Sequence, residues 1–255
     1  MALVTGAGRG LGRAIAIALA ERGFDVVATM RDPHAGAGLP AGIEVRPLDI
    51  TDPSTYDIPD GLRVLVNNAG IDGAYLPVEH TPPEQWRALL DTNFLGPAAL
   101  IAAALPALRA ARCGVVCNVT SVSILAPMPL FASYRAGKAA LSALGESLRA
   151  ELAPFGVRVL EVLPGPIQTD MLSASDREPE SAAFPAYDEA TRFARDGRRS
   201  VESAATPAAD AAAAIVDAIC DDESPLRVGC DPLSVALLEA WRGQDDESWM
   251  RSMLP

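Results

Sequence analysis

The stretch "VTGAGRGLGRAIAIALAERG", residues 4–23, runs from a β-branched start through spaced glycines into a segment rich in alanine, leucine and isoleucine. Gly6, Gly10 and Gly12 stand where a strand hands over to a helix, with Arg9 and Leu11 between them. The first glycine permits a tight exit from the strand, the second lets the backbone approach a pyrophosphate, and the third lets the helix pack closely on the strand. The helix start then offers free N–H groups and the positive end of its dipole to an anion. Three glycines alone are a weak signal. Here they lie between a predicted strand and a predicted helix, the context that nucleotide binding requires.

The rhythm continues outward from this turn. "ALVT" (2–5), "DVVATM" (25–30), "IEVRPL" (43–48), "LRVLVN" (62–67), "GVVCNVT" (114–120) and "VRVLEVLPG" (157–165) read as strands, with "PLRVG" (225–229) as a last one. Most are largely apolar, as in strands covered on both faces. Helices are predicted at 11–23, briefly at 53–57, at 83–92 joined to 94–112, at 132–153 and near 232–242. This alternation predicts an α/β fold: a single Rossmann-type, doubly wound parallel sheet of about seven strands flanked by helices on both faces, with residues 1–255 as one domain. The polar, proline-punctuated segment 171–207 follows the sixth strand, where such sheets bind ligands, and reads as a lid over a pocket.

Composition narrows the function. Of 255 residues 49% are hydrophobic, enough for a substantial core, and the net charge of −12 comes without a basic stripe, which excludes a nucleic-acid backbone as partner. No run reaches the ~18 uninterrupted apolar residues of a membrane span. The most apolar stretch, "AALIAAALPALRAA" (98–111), reads as a buried or subunit-contacting helix. The N-terminus runs straight into a strand and leaves no room for a signal peptide. Cys113, Cys117, Cys220 and Cys230 form no C-x-x-C pair; Cys113 and Cys117 lie at an apolar strand and read as buried free thiols, which places the chain in a reducing cytoplasm. With only His34 and His80 and no carboxylate–histidine cluster, no metal site is expected.

Further motifs occur in order: "LVNNAG" (65–70), "TNFLG" (92–96), "NVTSVS" (118–123), "SYRAGK" (133–138) and "PGPIQT" (164–169). Tyr134 and Lys138 lie four residues apart, one helical turn, so both leave the same face, and a cation beside a phenol lowers its pKa. Together with T-G-x-x-x-G-x-G at 5–12, this set resembles the short-chain dehydrogenase/reductase family, in its branch of about this chain length, over residues 2–170. The resemblance implies that Tyr134 exchanges a proton with the substrate oxygen, while Lys138 lowers its pKa and holds the nicotinamide ribose. It implies that Ser121, thirteen residues before the tyrosine, hydrogen-bonds the same oxygen, and that Asn93 anchors a water linking Lys138 to solvent. It sets the cofactor against Asn68, Ala69 and Gly70 after the fourth strand and Pro164, Gly165, Ile167 and Thr169 after the sixth. Asp49 then contacts the adenine, with Ile50 along the base.

In NAD-preferring sites an acid at the end of the second strand accepts the ribose hydroxyl. Met30 stands there, followed by Arg31, and Asp32 reads as a turn cap. Arg31 and Arg9 suit a 2′-phosphate, so NADP(H) is favoured and NAD(H) remains possible. "VSILAPMPLFAS" (122–133) and the segment after 171 are expected to line the pocket. "VVATMRDP" (26–33) is similar to hydroxysteroid and retinol dehydrogenase relatives, which implies a bulky hydrophobic alcohol or ketone: sterol-, polyketide- or lipid-like. Gly137 departs from the serine that many relatives carry before the lysine. Helices 94–112 and 132–153 are where relatives form homodimers and homotetramers. Among the alternatives, a serine hydrolase lacks its G-x-S-x-G elbow, and an epimerase of the longer branch needs a longer chain. A non-catalytic nucleotide sensor on this fold typically loses the tyrosine or lysine that this chain keeps. An NAD-dependent alcohol dehydrogenase is the remaining alternative.

Overall fold

The computed structural model describes residues 1–126, 128–173, 179–202 and 204–253. The apolar runs become β1 (Ala2–Thr5), β2 (Val26–Met30), β3 (Glu44–Pro47), β4 (Val64–Asn67), β5 (Val115–Val119) and β6 (Arg158–Leu163). Two-residue strands β7 (Ile167–Gln168) and β8 (Thr206–Pro207) pair with each other, and β9 (Arg227–Gly229) closes the main sheet. That sheet has seven strands in the order β3-β2-β1-β4-β5-β6-β9, all neighbours parallel.

Parallel neighbours need crossovers, which are supplied by α1 (Gly10–Glu21), α2 (Pro83–Leu90), α3 (Gly96–Ala111) and α4 (Ala132–Leu152). The C-terminal third adds α5 (Asp170–Ser173), α6 (Asp188–Glu202), α7 (Ala208–Cys220), α8 (Pro232–Arg242) and α9 (Asp246–Met253). Alternation along each strand divides the core. Val4, Val66, Cys117 and Val162 pack in one cluster with Ile15 of α1 and Ile215 of α7. Leu3, Leu65, Val116 and Val159 pack in the other with Leu100 of α3 and Leu148 of α4. Both faces are covered, so the strands read as continuous apolar runs.

Several details differ from the expectations. Helices α6, α7 and α9 were not predicted; in "AADAAAAIVDAIC" (208–220) alanine gives little contrast between the buried and exposed faces, which hides the period. The helix expected at 53–57 is a single 3₁₀ turn, Pro53–Thr55, because Asp52 caps it and the chain extends again at Tyr56. Cys113 is exposed, since it lies in the turn before β5 begins; Cys117 and Cys230 are the buried thiols, and all four cysteines are free. A π-helical turn, Asp91–Leu95, joins α2 to α3. The resulting helix, Pro83–Ala111, is by length and composition long and apolar enough to cross a membrane, which a count of uninterrupted apolar residues overlooks. Its Leu100, Ile101, Ala104 and Leu108 are buried against the sheet.

Strand order reverses between β1 and β4, so the crevice outside their carboxyl ends is where this topology binds ligands. Gly6 turns the chain there at φ +64°, and a Cβ on it would fall 2.9 Å from the Ala69 Cα. Further along, the β7–β8 pair ties together the two ends of the excursion that follows β6. Thr206 N donates to Pro166 O at 2.9 Å and Gln168 Nε2 to Ala205 O at 2.9 Å. The excursion docks on the loop after β4: Ser181 N donates to Tyr75 O (3.1 Å), Tyr187 Oη to Glu79 Oε1 (2.5 Å), and His80 stacks on Phe184 at 3.8 Å. Of the expected lid, residues 174–178 and 203 lie outside the described residues.

Candidate active site

A cavity of about 630 Å³ opens at the carboxyl ends of the strands. Gly6, Arg9, Gly10, Leu11 and Gly12 form its floor. A Cβ on Gly12 would lie 2.5 Å from Gly6 O and collide with Asn68 Nδ2, so only glycine lets α1 come this close to the strand turn. Gly10 adopts φ +55° beside Thr169. Arg9 is the N-cap residue of α1 and its side chain makes no cap hydrogen bond, which leaves the helix start uncapped at the cavity floor. Its guanidinium instead reaches Asp170 at 3.5 Å, an exposed pair of the kind that contributes little. The N-N-A-G loop is tied to β1, with Asn68 N and Ala69 N both donating to Thr5 Oγ1 at 3.0 Å, and Asn68, Ala69 and Gly70 line the cavity.

At one end Met30 is buried beneath the glycine turn, its sulfur 3.3 Å from where a Cβ on Gly8 would lie. The position of an NAD-type acid is therefore filled by an apolar side chain. Arg31 is exposed at the cavity lip. Asp32 caps the next turn by accepting from His34 N at 3.0 Å, and it also borders the cavity. Asp49 accepts from Thr51 N (2.9 Å) and Thr51 Oγ1 (2.7 Å); these bonds, with the charge of Arg31, hold its carboxyl below the usual carboxylate range. Ile50 follows it as a buried lining residue.

At the other end Pro164, Gly165, Ile167 and Thr169 form the wall after β6. Ser121 ends β5, and its Oγ accepts from Ser123 N at 3.1 Å, so it caps a turn and faces the cavity at once. Tyr134 lies in the first turn of α4 and Lys138 one turn later, both on the cavity wall. Lys138 Nζ donates to Val119 O at 2.8 Å and sits 6.0 Å from the centre of the Tyr134 ring. Burial pulls the Lys138 ammonium down to about 8. Burial also pushes the Tyr134 phenol above its ordinary value, against a smaller opposite effect of the Ser121 side chain. The lowering of the phenol expected from Lys138 is therefore not the dominant effect at Tyr134. The ammonium is aimed at a backbone carbonyl, and desolvation acts on both groups.

Asn93 is fully buried behind the cavity wall rather than in it. Its Oδ1 accepts from Ile71 N (3.0 Å) and its Nδ2 donates to Ile71 O (2.9 Å), so the whole amide braces the loop after β4 from within the π turn. The neighbouring Gly137 admits this packing, since a Cβ there would meet Asn93 Cβ at 3.2 Å and Leu89 O at 3.3 Å. Of the stretch 122–133 only Phe131 lines the cavity among the described residues. Val122, Ile124 and Leu125 turn away to pack with Trp249 of α9, whose indole N–H donates to Leu125 O at 2.6 Å; Pro127 lies outside the described residues. After 171, Met171, Leu172 and Arg198 do line it. Asp72 and Tyr75 were not expected at the site, and neither was Asp231, which accepts from Gly165 N at 2.7 Å. The D-x-x-S pattern at 231–234 marks a helix cap, but no local signal reports that the same carboxylate reaches a loop 66 residues earlier.

The chain matches the short chain dehydrogenase family over residues 1–180. It is 38% identical over 199 residues to the short-chain dehydrogenase ptmH of Penicillium ochrochloron, covering 73% of this chain and 72% of that one. Among solved structures it resembles a short-chain dehydrogenase from Streptomyces avermitilis, with TM-score 0.79 and 33% identity over 98% of this chain and 95% of that chain. It also resembles a short chain dehydrogenase from Burkholderia cenocepacia J2315 in complex with NADP, with TM-score 0.77 and 28% identity over 100% and 97%. A glycine turn, a parallel seven-stranded sheet and a serine, tyrosine and lysine on one cavity agree with these matches: the chain is an oxidoreductase of the short-chain dehydrogenase/reductase family.

Proposed function

We propose that this enzyme interconverts a carbonyl and a secondary alcohol with NADP(H), with Tyr134 as the general acid and base. The observation that carries the reading is the meeting of Ser121, Tyr134 and Lys138 in one cavity with the uncapped N-terminus of α1. The cradle fits a dinucleotide: side chains on Gly6 and Gly12 would fill it, and the floor presents backbone N–H groups to a pyrophosphate. Bound there, the nicotinamide would give a hydride to the substrate carbon or take one from it. Tyr134 moves the proton at the substrate oxygen, Ser121 donates a hydrogen bond to that oxygen, and Lys138 supplies positive charge and ribose contacts. Raised by burial, the phenol is protonated at neutral pH, the form that donates in carbonyl reduction.

Buried Met30, with Arg31 at the lip and Arg9 on the glycine turn of the same cavity, supports NADP(H). Asp32, an acidic group bordering the cavity just after Arg31, is the observation that favours the second reading, an NAD-dependent alcohol dehydrogenase. Ile71, Tyr75, Phe131, Met171 and Leu172 support a bulky hydrophobic substrate body, sterol-, polyketide- or lipid-like. The segment 171–207 acts as its lid, a reading supported by the β7–β8 pair and by the contacts of Ser181, Phe184 and Tyr187 with residues 75–80. Exposed Ala102 and Ala103 on α3, with Ala139 and Ala143 on α4, support close packing in a homodimer or homotetramer. Four free cysteines support a cytoplasmic location. The test is a panel of ketones and alcohols with NADPH, NADH and their oxidised forms, followed by nicotinamide absorbance. Tyr134→Phe abolishes turnover and retains nucleotide binding; near-normal turnover in that variant refutes the assignment.

A further inference from the structure

Beyond Tyr134 the cavity continues along an aromatic row that ends on a cation. The Phe131 ring lies 4.8 Å from Tyr134, and the Tyr75 ring stacks on Phe131 at 5.0 Å and 7°. The Arg198 guanidinium sits 4.6 Å over the Tyr75 ring, brought there by α6 from the excursion after β6. Arg198 is half-buried, and its Nε is buried with no acceptor. Among the described residues no carboxylate pairs with it, although acids outnumber Lys and Arg by 33 to 21 in this chain and Arg9, Arg158, Arg227 and Arg251 each hold one. A buried Nε–H without an acceptor is costly, and although the Tyr75 phenol is one partner of this guanidinium, its remaining N–H groups can take a planar anion.

We propose that Arg198 receives a carboxylate of the substrate, so that the enzyme acts on oxo acids or hydroxy acids. Their reacting carbon lies at Ser121 and Tyr134, their apolar body lies along Phe131 and Tyr75, and their carboxylate forms a forked pair with Arg198. Asp72 lines the same end and acts on both the Tyr75 and Tyr134 phenols. Its negative charge suits a singly charged carboxylate better than a dianionic phosphate. The proposal rests on the carbonyl reading for the position of the reacting carbon, while the anion site stands on Arg198 itself.

The test compares 3-benzoylpropionate with its methyl ester as substrates with NADPH, and measures calorimetrically the binding of 3-phenylpropionate, which has no ketone, to the protein with NADP⁺. Wild type prefers the acid by about 10- to 100-fold in kcat/KM, most of it in KM. Arg198→Met removes that preference by slowing the acid alone, Arg198→Lys restores part of it, and 3-phenylpropionate binding weakens by a similar factor in Arg198→Met. Melting curves of both variants establish that they are folded. Equal use of acid and ester by wild type, or 3-phenylpropionate binding that is indifferent to Arg198, overturns the proposal. If neither compound is reduced yet 3-phenylpropionate binding depends on Arg198, the anion site stands and the carbonyl reading falls. Turnover of both compounds without dependence on Arg198 does the reverse.

Discussion

Replacing Lys138 by methionine tests the electrostatics of the site without any substrate. The lysine is 5% exposed, donates to Val119 O at 2.8 Å and is pulled by burial to about 8. In the unfolded chain the same ammonium holds its proton to about pH 10.4. Between these values the unfolded state binds more protons than the folded one, so wild-type stability rises with pH across that window. The gap in pKa corresponds to a gain of about 3 kcal/mol, complete only above the unfolded value. Methionine keeps most of the apolar stem, cannot titrate and lacks this rise. The assay is urea unfolding of ligand-free wild type and Lys138→Met at pH values from about 7 to about 10.5. The quantity that matters is the difference between the two proteins, because other groups titrate alike in both. The stability of wild type relative to the variant should climb by about 3 kcal/mol over the window. Parallel profiles would refute the reasoning, since they would mean that the ammonium is solvated or paired as well in the fold as in water.

Gly12→Ala places a methyl 2.5 Å from Gly6 O and against Asn68 Nδ2, and should abolish nucleotide binding in a fluorescence titration even where a folded protein is recovered. Arg31→Ala should raise KM for NADPH about 10-fold or more while leaving KM for NADH nearly unchanged; equal changes for both nucleotides would remove Arg31 from 2′-phosphate recognition. Arg227 pairs with buried Glu161 at 2.8 Å and with exposed Glu146, so Arg227→Met strands the Glu161 charge in the sheet and should cost about 3–5 kcal/mol in urea unfolding, most of it recovered in Arg227→Met/Glu161→Leu. Trp249→Phe keeps the ring and loses the bond to Leu125 O, and a fall in Tm of about 2–4 °C is expected from the loss of about 1 kcal/mol.

The first two thirds of the chain were legible because their signals are local. Each glycine of the turn answers to a backbone constraint within a few residues or across one strand pair, and Asp32 and Asp49 make their bonds to residues two positions on. The cavity accordingly collects every residue expected at the cofactor. Asn93 was legible in position but not in orientation, because only the three-dimensional π turn shows both ends of its amide bound to Ile71. The direction of the Tyr134 shift was hidden for a related reason. Sequence spacing reports that a lysine is near, whereas the sign depends on how much water the fold removes from both groups. The apolar run 122–133 misled in part because hydrophobicity marks burial without saying what it is buried against: Val122, Ile124 and Leu125 pack against α9, and Phe131 lines the cavity.

The C-terminal third has the weakest sequence signals, yet it holds the site from three sides. Asp231 caps α8 by accepting from Ser234 N at 3.0 Å and also accepts from Gly165 N, and a Cβ on Gly165 would fall 2.6 Å from its Oδ1. One buried carboxylate thus sets both the start of a helix and the height of the loop after β6. Trp249 fixes the loop that begins at Ser121 through Leu125 O, and α6 delivers Arg198 to Tyr75. Asp231 and Trp249 are positioning residues. Their hydrogen bonds to these loops are made to backbone atoms, so substitutions there act on catalysis by moving the loops that carry Gly165 and Ser121, and shifts of about 1 Å are enough to change rates by orders of magnitude. Such variants should therefore lower kcat with both acid and ester substrates alike, the opposite of the acid-selective loss expected at Arg198, and that contrast separates geometry from recognition within a single cavity.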